Sequence, residues 1–522
     1  MRTLHMASHA SSHHSWVMSS TENKPRASLS EITELCLTPA TELASRIRRR
    51  DISPRELTAA FLSRIEQRNP ALNAYVHVAA DQALAAAAES ERQLMRGRLA
   101  GPLHGVPIAI KDLFDYKAGM PNTFGVTAFR DYVPEQTARH VAALEDVGAI
   151  VLGKTNTPEF GHKGLCDNKL FGPTSTPFAL GMNSGGSSGG SAAALADGLC
   201  ALSQGSDGGG SVRIPAALCG VVGFKPSFGR VADAVRPDAF LCQTPYMSNG
   251  PLARSVEDCA LLLSCMVGDD PRDPTSVPHD GTDFLAATRS DPGALRVAYL
   301  PTLGGFPVEA GVRAVVDDAV AALAEAGVHV DRPRFVLPVS HREATDLWVR
   351  NAGAIASTVV EAFAAEGVDL RDKPWEDFPW ALRAMIERTD GRTLMDGRRD
   401  QVVRTVIYDA FADLFDRYDL VISPTLAIAG CNNADDGWTV GPDNVDGEDV
   451  DPILGWCLTQ VFNFTGHPAI SVPAGLTDDG LPVGLQIAGR RFADADVLSA
   501  AAAIERIRPW APYYRTIAAV SR

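Results

Sequence analysis

The sequence predicts an α/β protein with a mixed central β-sheet, helices on both faces and a helical insert. From residue 105 onward, short apolar segments bounded by glycine or proline alternate with longer segments of helical periodicity, as expected for strands and helices around one sheet. Between about residues 340 and 412 the pattern is helical only, and this stretch carries Trp348, Trp375 and Trp380. These tryptophans suit the packing of an inserted helical unit or the apolar wall of a substrate pocket.

Helices precede the sheet and then alternate with its strands. The clearest helix start is at Ser53, which forms a capping box with Glu56 around Pro54 at the first helical position. The predicted helices cover residues 41–50, 53–67, 81–96, 136–147, 255–266 and 312–326, with a last helix ending near residue 506. The predicted strands cover residues 105–112, 149–152, 296–300, 419–425, 469–472 and 484–487. A loop rich in Pro and Gly is predicted at 240–254 and an acidic, solvated loop at 435–451.

Composition limits the classes of function. The chain has 522 residues and a formal net charge of −15, which argues against a general nucleic-acid or anionic-membrane surface. Its nine cysteines lack CxxC pairs and metal-ligand spacing, as expected for reduced thiols in a cytoplasmic protein. No apolar stretch approaches the ~20 residues that span a bilayer. We therefore expect a cytoplasmic protein without a metal site.

The first 28 residues differ from the rest of the chain. They are rich in serine and histidine, and they contain neither an apolar run nor the Arg-rich pattern of a transit peptide. Four histidines, at positions 5, 9, 13 and 14, raise the possibility of a metal site, but the composition is typical of a disordered tail. We predict a disordered tail over residues 1–28 and an ordered domain over residues 29–522.

Two glycine–serine clusters lie near the middle of the chain. The first, GGSSGGS, covers residues 185–191, and the second, GSDGGGSVRIP, covers residues 205–215. Taken alone, so many glycines are typical of a flexible linker. The helix-forming run at 192–196 and the apolar Val212 and Ile214 instead indicate ordered structure. We expect these glycines to bring bare backbone N–H groups close to a ligand or a reacting atom.

Three kinds of chemistry fit such clusters. A phosphate-binding loop would need a lysine after its last glycine, which neither cluster has. An esterase-type nucleophile elbow matches GxSxG in the first cluster and would use His467, but no strand pattern precedes it. The third possibility makes Ser211 a nucleophile directly after an oxyanion hole of backbone N–H groups. Its base would be Lys111, which burial would keep neutral and which would act through a second serine. Taken alone, Lys111 is more simply interpreted as a surface lysine paired with Asp112.

These motifs together resemble the amidase signature family. The resemblance rests on Lys111 within PIAIKD, on both glycine–serine clusters, and on GVVGFKP at 220–226, NFTGHPA at 463–469 and GLPVGLQ at 480–486. It extends from about residue 41 to residue 505. It implies the amidase signature fold and hydrolysis of amide C–N bonds by a Ser–cis-Ser–Lys triad through an acyl-enzyme intermediate.

The resemblance implies a role for each matched residue. Lys111 is the expected base, Ser187 the expected cis-serine that relays the proton, and Ser211 the expected nucleophile. The other implied roles are an oxyanion hole at Gly208, Gly209 and Gly210, a structural ion pair between Asp207 and Arg213, and a supporting role for Ser188. A small-molecule amide or carbamate is the expected partner, without cofactor, metal ion, nucleic acid or membrane, and a homodimer is one expected assembly.

The segments expected to meet the substrate depart from the family pattern. Phe178 follows Thr-Pro where the family commonly has Asn-Pro-Trp, and Cys166, Asp167 and Asn168 lie on another expected pocket loop. We expect an apolar or aryl amide, anilide or carbamate (urethane) as substrate. The alternatives are the glutamine-hydrolysing subunit of a tRNA amidotransferase, an esterase-type serine hydrolase, or a protein that keeps the fold without catalysis.

Overall fold

The computed structural model describes residues 28–371 and 379–520. The predicted tail, apart from Ser28, lies outside the described residues, as does Trp375. The described strands are β1 (Tyr75–Val78), β2 (Pro107–Lys111), β3 (Ile150–Thr155), β4 (Ser175–Thr176), β5 (Ala179–Asn183), β6 (Leu202–Asp207), β7 (Val222–Lys225), β8 (Ser248–Ala253), β9 (Arg296–Tyr299), β10 (His329–Asp331), β11 (Leu420–Pro424), β12 (Asn444–Val445), β13 (Glu448–Asp449), β14 (Ala469–Leu476) and β15 (Pro482–Gly489).

Helices connect and cover these strands. The described α-helices are α1 (Leu29–Cys36), α2 (Ala40–Arg49), α3 (Pro54–Leu72), α4 (Ala80–Met95), α5 (Arg139–Asp146), α6 (Gly189–Ala196), α7 (Arg213–Leu218), α8 (Val256–Met266), α9 (Phe284–Ala287), α10 (Ala310–Glu325), α11 (His341–Ala365), α12 (Trp380–Glu387), α13 (Leu394–Phe415), α14 (Val461–Thr465), α15 (Asp494–Ile507) and α16 (Ala511–Val520). Short 3-10 helices lie at Thr127–Phe129, Glu159–Gly161 and Pro292–Ala294.

The main sheet is mixed, as predicted. Within the described residues it has eleven strands in the order β1-β3-β2-β6-β8-β7-β14-β15-β11-β9-β10. Strand β2 runs parallel to both β3 and β6, and β9 runs parallel to β10 and β11. The other neighbouring strands of this sheet are antiparallel. The prediction of a mixed central sheet with helices packed on it is confirmed.

Helix α3 shows how local signals and packing set the boundaries. The predicted capping box is present, with Ser53 Oγ accepting from Glu56 N at 3.0 Å and Glu56 Oε2 accepting from Ser53 N at 3.1 Å. The helix runs past its predicted end at residue 67 to Leu72, which is fully buried. It stops at Asn73, whose left-handed conformation is one that asparagine tolerates.

Strand β8 was predicted as loop, and this prediction is wrong. Its sequence, SNGPLA, has low β propensity, but the strand is buried throughout and pairs with β6 and β7 in the middle of the sheet. Gly250 allows this close approach, because a Cβ there would lie 2.2 Å from the carbonyl oxygen of Phe224. Burial and pairing on both sides therefore override the local preference for a loop.

The predicted helical insert consists of α11, α12 and α13. Helix α11 begins at an N-cap, where Ser340 Oγ accepts from Glu343 N at 3.1 Å, and it continues for 25 residues. The acidic loop at 435–451 is a loop apart from the small hairpin of β12 and β13. Among the described helices, none is both long enough and apolar enough to cross a membrane.

Candidate active site

The sheet brings Lys111 and the second glycine–serine cluster to the same edge. Lys111 is the last residue of β2, and the parallel neighbour β6 ends at Asp207, directly before the three glycines. The first cluster ends in the first turn of α6, which packs against β2 and β6. A hydrogen bond from Ser188 N to Ser211 O, of 3.2 Å, joins the two clusters. Sites in α/β proteins commonly form at such carboxyl ends of strands.

Lys111 is buried and bonded to serine hydroxyls. Its Nζ donates to Ser187 Oγ at 2.7 Å and to Ser206 Oγ at 3.0 Å, and its side chain is inaccessible to solvent. Burial lowers the pKa of Lys111 to about 8, although the negative charges of Asp115 and Asp207 act in the opposite direction. The amine is therefore far easier to deprotonate than that of an exposed lysine. The alternative of a surface lysine paired with Asp112 is wrong.

The two serines differ in their surroundings. The peptide bond between Gly186 and Ser187 is cis, as the family resemblance implies, and Ser187 is 2% exposed. Ser211 is partly exposed, and its Oγ makes no hydrogen bond within the described part of the chain. The structure thus contains the link from Lys111 to Ser187 and leaves the hydroxyl of Ser211 free to meet a substrate.

The loop at residues 208–211, here called the glycine loop, is held by its carbonyl groups. Gly208 O accepts from Trp348 Nε1 at 2.9 Å, and Gly209 O accepts from Thr459 Oγ1 at 2.6 Å. The carbonyl of Gly210 accepts from Ile214 N at 2.6 Å. Three donors outside the loop therefore hold three of its carbonyl groups in place.

The N–H groups of this loop are not equivalent. Gly210 N donates to Asp207 Oδ1 at 2.9 Å, so this N–H already has an acceptor within the protein, and the place of Gly210 in the oxyanion hole stays a prediction. The N–H groups of Gly208, Gly209 and Ser211 have no acceptor among the described residues. These three donors could hold a negatively charged oxygen.

Asp207 and Arg213 form the predicted ion pair. Both are fully buried, and Arg213 Nη2 lies 2.8 Å from Asp207 Oδ1. Burial alone would raise the pKa of Asp207, but the charge and hydrogen bonds of Arg213 hold it at about 2. Gln486 and Asn463, from the two C-terminal motifs, accept further hydrogen bonds from Arg213. The C-terminal motifs therefore hold Arg213 in place, and Arg213 holds Asp207, the residue directly before the glycine loop.

The comparisons with known proteins agree with this geometry. The family model described as Amidase matches residues 56–498, which is most of the chain. The protein belongs to the amidase signature family. It is accordingly a hydrolase that acts on amide C–N bonds.

Its similarity to individual amidase signature enzymes extends over nearly their whole length. An acylamidase of Rhodococcus erythropolis is 40% identical over 481 residues, which cover 90% of this chain and 96% of that protein. A glutamyl-tRNA(Gln) amidotransferase component from Acidothermus cellulolyticus is 36% identical over 502 residues, which cover 91% of this chain and 95% of that protein. The crystal structure of a bacterial aryl acylamidase of the family superposes with a TM-score of 0.89 at 40% identity, covering 92% of this chain and 98% of the other.

The residues predicted to bind substrate have other contacts in this amidase signature enzyme. Asp167, which is fully buried, pairs with Lys163 and accepts from Thr439 N at 2.6 Å. Asn168 donates to Asn156 Oδ1 at 2.7 Å and to a neighbouring carbonyl. Cys166 is buried behind Gly189, and the ring of Phe178 packs on Gly220. These side chains thus have partners within the protein, and their contact with a substrate stays a prediction.

Several aromatic side chains pack together with Phe160, whose neighbour Gly161 lies close to Ser187. They form an aromatic cluster, defined as Phe114, Tyr116, Phe124, Phe129, Tyr132, Phe160 and Phe363. The rings of Phe129 and Phe363 are 4.4 Å apart between centroids, and those of Phe124 and Phe160 are 5.7 Å apart. Gly161, next to Phe160, is close enough to Ser187 that a Cβ there would lie 3.0 Å from Ser187 Oγ. A groove of about 300 Å³ borders the cluster at Phe129, Tyr132 and Phe363.

The tryptophans of the insert take different positions. Trp348 contacts the glycine loop, whereas Trp380 is 45% exposed. The insert contributes Phe363, with Ala356 and Val360 packed behind it, to the aromatic cluster. Sequence reasoning missed Ser206 and Thr459, which contact the candidate site, and it considered Trp348 only for packing or for the wall of a pocket. Only Ser206 had a local signal, since it is a hydroxyl residue within the second cluster.

Proposed function

We propose that this amidase cleaves amides of apolar or aryl amines, above all anilides, through an acyl-enzyme on Ser211. In this proposal Lys111 is the base and Ser187 passes the proton between Lys111 and Ser211. The observation that carries it is the 2.7 Å contact between Lys111 Nζ and Ser187 Oγ in a buried site beside the free hydroxyl of Ser211. Burial provides the neutral amine that such a base requires.

The reaction proceeds in two halves. As Ser211 Oγ attacks the amide carbon, its proton moves to Ser187 and the proton of Ser187 moves to Lys111. The carbonyl oxygen becomes an oxyanion, which the N–H groups of Gly208, Gly209 and Ser211 stabilise. The proton then returns through Ser187 to the nitrogen, the C–N bond breaks, and the amine leaves. Water attacks the resulting ester with help from the same base, releasing the carboxylic acid and restoring Ser211.

The aromatic cluster supports an aryl or apolar substrate. Its rings pack with Leu113 in one apolar cluster, and both Leu113 and Ser187 lie next to Gly161. Aromatic rings bind other aromatic rings through stacked or edge-to-face contacts. The similarity to an aryl acylamidase at 40% identity supports the same class. Carbamates of aryl amines have the same C–N bond and shape, and they belong to the proposed class.

A substrate panel tests this proposal against its alternatives. We expect 4-nitroacetanilide and related anilides to be hydrolysed with a kcat/KM at least about tenfold above that for glutamine, because the aromatic cluster favours apolar groups. The Ser211→Ala variant serves as the background control for each compound. Hydrolysis of glutamine alone would favour the tRNA amidotransferase function, which the 36% identity to such an enzyme suggests. Cleavage of esters without any amide would favour the esterase.

The pH dependence of catalysis should report the deprotonation of Lys111. Because the neutral amine is the active form, kcat/KM should rise about tenfold per pH unit below a pKa of about 8 and level off above it. A neutral anilide measured between pH 5.5 and 9.5 at constant ionic strength gives this profile without titration of the substrate. A profile that falls between pH 7 and 9 would mean that the protonated amine is required.

A further inference from the structure

Trp348 is the residue of the helical insert that contacts the glycine loop. It lies near the start of α11 and is 6% exposed. Its Nε1 donates to Gly208 O at 2.9 Å, and its ring covers Gly209 so closely that a Cβ there would lie 2.5 Å from Nε1. The indole therefore fixes both the position and the orientation of the peptide group between Gly208 and Gly209.

The orientation of that peptide group sets the direction of one oxyanion donor. In a planar trans peptide the C=O and the following N–H point in opposite directions. When Trp348 holds Gly208 O, the N–H of Gly209 must point to the other side of the loop, where it has no acceptor among the described residues. Three successive glycines rotate easily, so this direction depends on an external contact.

The next peptide group is held from both sides. Gly209 O accepts from Thr459, and Gly210 N donates to Asp207, so loss of one contact leaves the other. The peptide group between Gly208 and Gly209 differs. Within the described residues only its carbonyl oxygen, Gly208 O, has a hydrogen bond, and Trp348 supplies that bond. We therefore expect Trp348 to contribute more than Thr459 to the orientation of the glycine loop.

We infer that Trp348 is a positioning residue that holds the Gly209 N–H in the direction required to stabilise the oxyanion. This inference rests on the proposed Ser211 mechanism, and it makes the helical insert part of the catalytic support. The contacts of Trp348 with the candidate site are with Gly208 and Gly209, so we expect its effect in the transition state and not in substrate binding.

The test compares Trp348→Phe with Trp510→Phe. Trp510 is a matched control, since its buried indole also donates to a carbonyl, that of Arg254 at 2.8 Å, in contact with α16 and away from the candidate site. We expect Trp348→Phe to lower kcat for an anilide roughly 10- to 100-fold with KM changed by less than about threefold. Both variants should lose thermal stability, but Trp510→Phe should keep the kcat of the wild-type enzyme.

A transition-state analogue separates positioning from a structural effect. A boronic acid that adds to Ser211 should bind the Trp348→Phe variant more weakly by the same factor as the loss in kcat/KM, whereas inhibition by the product amine should not change. If Trp348→Phe is poorly folded, 3-benzothienylalanine at position 348 keeps the ring shape and removes only the donor. Equal kcat in the two phenylalanine variants, or unchanged boronic acid affinity, would overturn the inference. Activity retained in Ser211→Ala would instead overturn the proposed function.

Discussion

Replacement of Ser211 by alanine should abolish amide hydrolysis while leaving the fold intact. Without the hydroxyl no acyl-enzyme forms, and loss of a serine nucleophile in comparable enzymes costs roughly 10⁴-fold or more in kcat. The stability of the variant should change little, because Ser211 Oγ makes no hydrogen bond within the described residues and the side chain is partly exposed. Initial rates with an anilide and a thermal melt measure both outcomes.

A remote serine provides the control for this variant. Ser264 lies on α8, and within the described residues its Oγ donates only to Ala260 O, one helical turn earlier, at 2.8 Å. Ser264→Ala makes the same chemical change without touching the glycine loop, so its rate should match that of the wild-type protein. If Ser211→Ala kept more than about 1% of the wild-type rate, another nucleophile would have to be sought.

Replacement of Lys111 by methionine should be nearly as damaging. Methionine has about the same length as the lysine it replaces and suits a buried position, but it cannot accept a proton. It also leaves the hydroxyls of Ser187 and Ser206 without their donor. We expect kcat/KM to fall roughly 10³- to 10⁴-fold, with no recovery at high pH because the titrating group is gone.

Lys225 is the matched control for the loss of a buried amine. It is fully buried on β7, burial lowers its pKa to about 7, and its Nζ donates to Pro226 O at 3.0 Å without contacting a serine. Lys225→Met should therefore retain at least about tenfold more activity than Lys111→Met. Equal losses in the two variants, or a mild effect of Lys111→Met, would contradict Lys111 as the base and favour an esterase-type base such as a histidine.

The esterase alternative also has a structural weakness. His467, the late histidine in the sequence, is 4% exposed, and its ring packs against Phe415 at 4.9 Å between centroids. Burial lowers the pKa of His467 to about 3. A histidine packed in this way belongs to the core between α13 and β14.

Much of the candidate site was predictable because its groups lie in short sequence motifs. Lys111, Ser187 and Ser211 each stand in a segment whose glycines or strand pattern mark a special backbone, and the structure brings Lys111 against Ser187. The apolar segments predicted six of the eleven strands of the main sheet and missed the other five, among them β8, whose local preference is weak. Strand β8 forms because it pairs with β6 and β7, and a short stretch of sequence does not reveal such pairing.

The partners of the glycine loop could not be predicted for a related reason. Trp348 and Thr459 reach Gly208 and Gly209 from positions 140 and 250 residues away. The hydrogen bond from Gly210 N to Asp207 also depends on the backbone conformation of the folded loop. The aromatic cluster is likewise assembled from segments near residues 114–132, 160 and 363, none of which shows a pocket by itself.

Trapping the acyl-enzyme is the most direct test of the central claim, that Ser211 forms the covalent intermediate. A slowly deacylating activated substrate, such as a 4-nitrophenyl ester of an aromatic acid, would be mixed with the enzyme, quenched in acid and followed by intact-mass and peptide-level mass spectrometry. The account predicts one added acyl group on the peptide that contains Ser211, and no addition in Ser211→Ala. An acyl group on any other residue, or turnover with the acyl group still present in Ser211→Ala, would contradict it.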